Sequence, residues 1–377
     1  MARPDWTIKK YFRKLKDPRI NRRKKHLLLD IVVISICAVI AGCDDWQQIH
    51  TFARAREPWL KTFLRLPNGI PSHDTFERVF DRLSPQAFQA CFREWMQALA
   101  DALGLSQIAI DGKTLRGSGP GGLQTLHLVS AWATANSLSL GHVAADADSN
   151  EITAIPKLLE LLDVQGALVT LDAMGCQKEI AAKIVDGGGD YVLTVKNNQP
   201  TLLADIQDCF DHAEEQDFQE IGYDSYHTHE TGHGREELRS YHILVNPQMP
   251  SQPEWKGLQV IGMCYSECIR DGKETREVRY FIGSRKAKAK VYGQALRNHW
   301  GIENGLHWQL DVTFGEDDNR FSKRHGAENL AMLRRLALSL LKQHPDTRSI
   351  ACKRLLAALD PDFLQEVLQN DGNAGKI

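Results

Sequence analysis

Two aspartates in this chain each follow a short apolar run of the kind that forms a buried strand. Asp111 follows residues 108–110, and Asp172 follows residues 168–171. Far downstream, Glu303 lies in a stretch whose apolar spacing is typical of a helix. Because strand ends aim short side chains into a crevice, these three carboxylates can together hold divalent metal at a phosphodiester. Two metal ions about 3.5–4 Å apart clamp the attacking and leaving oxygens, which is the chemistry of nucleases and strand-transfer enzymes.

Histidines surround Glu303 at helical spacing. His299, Glu303 and His307 are expected to share one helix face beside an apolar stripe. An alternative interpretation makes both histidines transition-metal ligands, as in a metallohydrolase. The two strand-end aspartates favour Mg²⁺ or Mn²⁺ instead, because these cations prefer oxygen ligands. The acidic run that follows leaves Asp311 or Asp317 open as the third carboxylate.

The overall charge gives no general attraction to nucleic acid. The chain has 377 residues, a formal net charge of −2 and a pI near 6.7. Binding to DNA must therefore come from local patches. Two basic stretches qualify: residues 1–26 contain eleven Lys or Arg against two Asp, and residues 285–300 contain five Lys or Arg and no acid.

Basic and polar side chains near the carboxylates and in these stretches are candidates for contacts to phosphates or base edges. They are Lys113, Arg116, Lys196, Asn198, Arg235, Arg297, His299, His307 and Arg320. Arg235 belongs to a cluster with His227, His229 and His233, whose residue types also suit a metal. Because the cluster lies in a β-rich stretch, we favour a phosphate contact or a surface loop.

Cysteine usage and hydropathy indicate the compartment. Eight cysteines are too sparse for a disulfide scaffold, and no pair has the spacing of a zinc site. The apolar run at residues 27–41 is interrupted by Asp30 and is shorter than the roughly 20 residues of a membrane helix. We therefore expect reduced thiols, a buried helix at this run and a cytoplasmic protein without a membrane partner.

The order of predicted elements indicates a mixed α/β architecture. Residues 1–104 are predicted to form an all-helical N-terminal domain that binds DNA or supports the next domain. Residues 105–345 begin with three sequential strands and continue with two strands joined through helices. These strands are predicted at 108–111, 126–134, 138–145, 167–172 and 191–196. A meander followed by helix-linked strands, with acids ending the first and fourth, describes a ribonuclease H-like fold.

A β-rich insertion is predicted within this second domain, at about residues 218–284. Its strand candidates are 240–245, 258–264 and 278–282. After the insertion, one helix is predicted over 288–310 and an apolar-striped helix over 329–341. Residues 346–377 are predicted to form a helical C-terminal tail.

Several long motifs in one order closely resemble the H repeat-associated proteins, which belong to the DDE transposases of bacterial insertion sequences. The matching stretches are residues 109–118, 149–152, 170–175, 190–193 and 299–312. The resemblance covers nearly the whole chain, including the helical N-terminal region. Several such motifs in register are far more specific than any three acidic residues.

The resemblance implies a ribonuclease H-like catalytic domain with Mg²⁺-dependent, or Mn²⁺-dependent, cleavage at transposon ends. Strand transfer by the liberated 3′ hydroxyl would follow. The implied catalytic and metal-binding residues are Asp111, Asp172 and Glu303. The implied partners are the inverted repeats of the element and its target DNA, held by at least a dimer of the protein.

Two positions depart from the wider insertion-sequence superfamily. That superfamily often places Arg four residues before the glutamate and Lys seven residues after it, where this chain has His299 and Leu310. Arg297 could substitute for the first. These departures leave open a DNA-binding protein whose catalysis has decayed. A host nuclease unrelated to transposition is a further alternative.

Overall fold

The computed structural model describes residues 7–20, 24–115, 126–145, 151–219, 221–232, 234–318 and 325–369. Arg116 and Arg320, two of the predicted DNA contacts, lie outside these ranges, as does His233. The α-helices are α1 Thr7–Phe12, α2 Leu28–Ile40, α3 Trp46–Ala55, α4 Glu57–Phe63, α5 His73–Phe80, α6 Pro85–Leu103, α7 Glu151–Leu159, α8 Lys178–Asp186, α9 Pro200–Glu215, α10 Ala289–His299, α11 Gly326–Gln343, α12 Ile350–Leu359 and α13 Pro361–Gln369.

The strands are β1 Gln107–Leu115, β2 Leu126–Ala133, β3 Leu138–Ala144, β4 Leu168–Leu171, β5 Asp190–Val195, β6 Gly222–Gly232, β7 Arg235–Val245, β8 Val260–Arg270 and β9 Lys273–Gly283. Their hydrogen-bonded order is β3-β2-β1-β4-β5-β9-β8-β7-β6. The first five positions of this order, with a meander and then two helix-linked strands, are those of a ribonuclease H-like fold. The predicted fold class is therefore confirmed.

The chain divides into two compact units. The first comprises Met1–Gly104, Gly112–Ala147 and Glu303–Ile377, and the second comprises Leu105–Asp111 and Asp148–Ile302. Strand β1 begins in the second unit and ends in the first. The domain boundaries expected after residues 104 and 345 stay predictions.

Helix α2 lies at the centre of the first unit because nearly all of its side chains are apolar. The long helix α11 packs against α2, α6 and strand β3. Asp30 interrupts the apolar sequence of α2 but is buried, and its Oδ2 accepts a hydrogen bond of 2.9 Å from the backbone N–H of Leu66. The buried helix expected here is thus confirmed. Within the described ranges, none of the helices combines the length and apolar character that a membrane span requires.

The second unit contains the parallel strands of the sheet. Strands β1, β4 and β5 run parallel, with Ile110 opposite Leu171 and Leu171 opposite Leu193. Strand β9 then pairs antiparallel with β5, and helix α10 packs against β4, β5, β6 and β7. The apolar side chains of this packing form a core around Val192, Phe281 and Tyr292.

The β-rich insertion consists of two long antiparallel hairpins, β6–β7 and β8–β9. Its existence was predicted, but its strands are longer than the sequence indicated, and β6 was missed. The reason is visible in the burial of β6, whose side chains are all exposed or only partly buried. Such a strand lacks the apolar residues on one face that reveal a strand in a sequence.

The stretch predicted to be helical over 288–310 is helical, but it is not one uninterrupted α-helix. Helix α10 ends at His299, and the chain continues in two π-helical segments, Glu303–His307 and Gln309–Thr313. Glycine lowers α-helix propensity, and two glycines fall at this break. One of them, Gly305, packs so closely on Trp132 that an added Cβ would lie 3.2 Å from its ring. π-Helical turns are rare and are frequently found at functional sites.

Candidate functional site

Asp111 and Asp172 lie at the same edge of the sheet in the second unit. Strands β1 and β4 are parallel neighbours, and their last registered pair is Ile110 with Leu171. Each aspartate follows one member of that pair. Because neighbouring strands lie about 4.8 Å apart, the backbones of the two aspartates lie side by side. The structure therefore places at neighbouring backbone positions the two aspartates that the sequence pattern singled out.

The turn after β4 orients the Asp172 carboxylate. Its Oδ1 accepts hydrogen bonds from the backbone N–H groups of Met174, at 3.0 Å, and Gly175, at 3.2 Å. The turn needs glycine at position 175, because a Cβ there would lie 2.6 Å from the Leu171 side chain. Asn198 closes the turn by donating its side-chain amide to the carbonyl oxygen of Ala173 at 2.7 Å. Two backbone donors and a tight turn thus hold one carboxylate oxygen in place.

Asp172 also lines an open cleft of about 460 Å³ in the second unit. The other lining residues come from helix α7, the turn after β4 and the turn after β5, and they are Ile152, Ala173, Met174, Gln177, Lys196, Asn197 and Asn198. Lys196 is exposed to solvent here. The cleft therefore places an exposed cation and amide groups, which are common phosphate contacts, beside Asp172.

His299 contacts strand β4 close to Asp172. Its Nδ1 lies 3.0 Å from Oγ1 of Thr170, two residues before the aspartate. Helix α10 ends at His299 and does not continue as an α-helix through Glu303, as the prediction of one helix required. The expected alignment of His299, Glu303 and His307 on one α-helix is accordingly wrong.

Glu303 begins the first π-helical segment in the first unit and keeps its carboxylate accessible. Its side chain is 60% exposed, whereas that of His307 is 4% exposed, and His307 Nδ1 lies 3.2 Å from Glu303 Oε2. The hydrogen bond from His307 lowers the pKa of Glu303, and the charge of Lys113 acts in the same direction. Glu303 therefore stays ionised at neutral pH, which suits a metal ligand.

Lys113, predicted to contact DNA, lies in the interior of the first unit. Its side chain is 8% exposed, and Nζ donates to the carboxylate of Asp311 and, at 3.2 Å, to Oε2 of Glu316. Asp311 is thus occupied by a lysine, which weakens its case as the third metal ligand. The role of Glu316 was missed by sequence reasoning. The arginine pair at residues 334 and 335, on an apolar-striped helix, could have indicated it, because buried charges need partners.

The remaining predicted DNA contacts lie on the surface of the second unit in ion pairs. Arg235 Nε lies 3.5 Å from Glu237, and Arg297 Nη2 lies 3.0 Å from Glu230. Across the β6–β7 hairpin, His227 hydrogen-bonds to Ser240 at 2.9 Å and His229 to Glu236 at 2.7 Å. These two histidines therefore form cross-strand contacts in a surface hairpin.

Comparison with known proteins identifies the family of this chain. The family model described as DDE_Tnp_1-associated matches residues 9–96, and the model described as Transposase DDE domain matches residues 103–340. An Escherichia coli O157:H7 protein named "Putative transposase YncI" is 41% identical over 376 residues, covering 97% of this chain and 95% of that protein. "H repeat-associated putative transposase YhhI" of E. coli K12 is 38% identical over 365 residues, covering 94% and 96%.

A solved structure of the piggyBac transposase synaptic complex with hairpin DNA overlays with a TM-score of 0.40 and 10% sequence identity. The overlay covers 99% of this chain and 78% of that one. The family models and the two relatives show that the chain belongs to the DDE transposase family.

Proposed function

We propose that this protein is a DNA transposase that cuts the ends of an insertion-sequence-like element and joins the liberated 3′ hydroxyls to target DNA. The observation that carries the proposal is the position of Asp111 and Asp172, each one residue beyond the registered pair Ile110 and Leu171. With Glu303, they supply the three carboxylates for which the family is named. Because both ends of an element must be held together, we propose that the active complex contains at least two copies of the chain.

The side chains present fit a divalent metal. Asp111 and Glu303 have carboxylate oxygens and His307 an imidazole nitrogen, which are donor types that a divalent ion takes. We propose that these residues bind one ion, with Asp172 as a further oxygen ligand. Oxygen donors favour Mg²⁺, and an imidazole would make Mn²⁺ a good substitute. A bound divalent cation would act as a Lewis acid on the phosphodiester and lower the pKa of an attacking water.

The protein groups themselves hold the reacting carboxylates ionised and oriented. His307 favours the charged form of Glu303 through their hydrogen bond, which lowers the pKa of this carboxyl. The turn at residues 172–175 fixes one oxygen of Asp172. We infer that these constraints let the carboxylates act without rearrangement when DNA arrives, since preorganised charge avoids the cost of reorientation during reaction.

We further propose that DNA follows the cleft beside Asp172, with Lys196 and Asn198 next to a backbone phosphate. His299, Arg235 and Arg297 are proposed as outer contacts, and a phosphate would compete there with the glutamates that now pair with both arginines. Lys113 Nζ and His307 Nδ1 contact protein carboxylates, so we assign these two residues no contact with DNA.

A DNA-binding relic without catalysis is the second candidate. The superfamily often has a lysine at the position of Leu310, and this leucine is fully buried in the first unit. That position therefore makes no contact with a transposon end. The relic keeps the DNA contacts of the first candidate but does not cut.

The test is Mg²⁺-dependent cleavage of a DNA fragment that carries the inverted repeats flanking this gene. Wild type is compared with Asp172→Ala and with Asp186→Ala, whose carboxylate is 62% exposed and pairs with Lys256 at the surface. Cutting at the repeat boundary by wild type and Asp186→Ala, and its loss in Asp172→Ala, supports the transposase. If wild type and both variants bind the DNA but none of them cuts it, the result supports the relic instead.

A further inference from the structure

Strand β1 carries a buried lysine two residues after Asp111. Side chains alternate along a strand, so Lys113 and Asp111 belong to the same face of β1. The ammonium group of Lys113 is held by two carboxylates, those of Asp311 and Glu316. An ammonium group is rarely buried without such partners, because losing its hydration is costly. The place of this lysine is therefore set by the two acids that surround it.

Both acids belong to the segment that begins with Glu303. Asp311 lies in the second π-helical segment, and Glu316 lies in the 3₁₀ turn Glu316–Asp318 that follows. On its other side Glu316 is fixed by Arg335 of α11, with 2.7 Å between Oε1 and Nη1. π-Helical turns are seldom stable by themselves, so contacts with the rest of the fold must hold this segment. Lys113 supplies the contact from β1.

We propose that Lys113 is a positioning residue for the metal ligands: by holding Asp311 and Glu316, it fixes the segment that carries Glu303 to β1, the strand that carries Asp111. The inference rests on the proposed function, because it concerns the same carboxylates. It assigns Lys113 no contact with DNA or with the reacting atoms. Lys113 acts on the position of the Glu303 carboxylate.

A purely electrostatic role for Lys113 predicts the opposite result from a positioning role. The positive charge of Lys113 lies close enough to lower the pKa of Glu303. Removing it would leave more negative charge around the site and free the Asp311 carboxylate, so Coulomb attraction alone would make a divalent cation bind more tightly. Loss of positioning would make the cation bind more weakly. The sign of the change therefore separates the two roles.

The substitution Lys113→Met removes the charge and keeps a long, flexible side chain. Glu316 keeps Arg335, and the Asp311 side chain is 34% exposed and can be hydrated. The variant is thus expected to fold. The conservative change Lys113→Arg restores a cation that can donate to both acids. Lys183→Met is the matched control, since it breaks a lysine–glutamate pair with Glu160 on the surface of the second unit.

The experiment measures binding of Mn²⁺ alone to the full chain without DNA, from the electron paramagnetic resonance signal of free Mn²⁺, together with the melting temperature. We expect Lys113→Met to weaken Mn²⁺ binding about tenfold or more, as loss of an orienting partner does at other metal sites. Lys113→Arg should recover most of the affinity, and Lys183→Met should match wild type. If Lys113→Met does not fold, the polar but uncharged Lys113→Gln replaces it with the same two outcomes: weaker Mn²⁺ binding supports the positioning role, and unchanged or tighter binding overturns it.

Asp111→Ala separates failure of this inference from failure of the proposed function. Mn²⁺ binding that Asp111→Ala abolishes, but that Lys113→Met leaves unchanged or tightens, overturns the positioning role alone. Wild-type protein that shows no Mn²⁺ binding dependent on Asp111 overturns the proposed function, and the positioning role with it.

Discussion

Glu316 and Arg335 form an ion pair in the interior of the first unit, with 2.7 Å between Oε1 and Nη1 and no exposure of either side chain. Burial disfavours the Glu316 carboxylate, but the charges of Arg335 and Lys113 outweigh it and lower the pKa of Glu316 to about 2. Arg335 is further placed by a hydrogen bond of 3.1 Å to the carbonyl oxygen of Ala331. The pair joins the segment after Glu303 to helix α11. Each of the two buried charges is stabilised by the other.

Breaking this pair on one side should destabilise the protein strongly. We expect Glu316→Gln to lower the free energy of unfolding by about 3–5 kcal/mol, because it leaves Arg335 buried with its charge uncompensated. The double change Glu316→Leu with Arg335→Met should cost much less, since it removes both charges. Urea denaturation measures each value. The surface control Glu160→Gln should cost at most about 1 kcal/mol, and a similar small cost for Glu316→Gln would contradict this account.

His142 on β3 should make stability depend on pH. Burial and then the charge of Arg335 lower the pKa of this fully buried imidazole to about 3. The unfolded chain takes up a proton near pH 6.5, so it binds more protons than the folded protein between these values. Stability should therefore fall as pH falls below about 6.5, by about 1.4 kcal/mol per pH unit from this residue.

The measurement is the urea midpoint between pH 7.5 and 5. His142→Gln should flatten the decline relative to wild type, and His212→Gln, an exposed control on α9, should not. Glu316 adds a separate loss at lower pH, because its folded-state pKa of about 2 lies below the ordinary value of 4.5. That loss begins only as pH falls below about 4.5, so it does not obscure the histidine. An unchanged decline in His142→Gln would count against a neutral buried ring.

His307 should control metal affinity both as a proposed ligand and through its contact with Glu303. Its ring lies 3.2 Å from the Glu303 carboxylate, which is otherwise largely exposed. We expect His307→Phe to raise the metal concentration needed for half-maximal cleavage about 10–100-fold, the usual effect of losing an orienting partner. His229→Phe removes a comparable histidine–glutamate contact from the surface hairpin and serves as control. If His307→Phe and His229→Phe need the same metal concentration for half-maximal cleavage, His307 has no role in metal binding.

Lys196 should contribute one phosphate contact to DNA binding. It is the exposed cation in the cleft beside Asp172. Because each neutralised phosphate releases counterions, Lys196→Ala should reduce the slope of log affinity against log salt by about 0.9. Binding to an inverted-repeat duplex is measured across a salt series, with Lys183→Ala as control. A parallel shift of the line without a change in slope would place Lys196 away from the backbone.

The two aspartates could be predicted from sequence because their information is local. A short apolar run followed by Asp is visible in a few residues at 111 and at 172. The parallel pairing of β1 with β4 ends just before both aspartates, although β1 itself continues to Leu115, where the sequence predicted a strand end at Asp111. Strand β6 could not be predicted, since no apolar face distinguishes it. The end of α10 at His299 was also hidden, because the spacing of His299, Glu303 and His307 suits a continuous α-helix equally well.

The ion pairs around Lys113 could not be predicted from the sequence, for a different reason. Its contact with Glu316 joins residues 203 positions apart, and no local pattern fixes which acid meets a given lysine. The sequence did show three acids at 316–318 and two arginines on an apolar helix. It could not show that one acid lies fully buried between a lysine and an arginine. Such pairing follows from the packing of β1 and α11 in the first unit.

The two glycines near Glu303 should respond in opposite ways to alanine. Among the described residues, nothing lies within 4 Å of a Cβ added at Gly301, whereas a Cβ at Gly305 would lie 3.2 Å from the Trp132 ring. Gly301→Ala should therefore stabilise the protein by up to about 1 kcal/mol, the difference in helix propensity. Gly305→Ala should lose that gain, because Trp132 is 1% exposed and has little room to move.

DNA binding then tests why position 301 is glycine. If the backbone at Gly301 approaches a DNA strand, Gly301→Ala will weaken binding to the inverted repeat although it raises the urea midpoint. A stability gain with unchanged DNA affinity would show that no strand comes close to this turn. Loss of stability in Gly301→Ala would instead contradict the open surroundings of this glycine. The urea midpoint thus reports the packing of the added methyl group, and the DNA affinity reports whether DNA contacts it. At Gly305 the methyl group meets the Trp132 ring, whereas at Gly301 it meets no protein atom of the described residues.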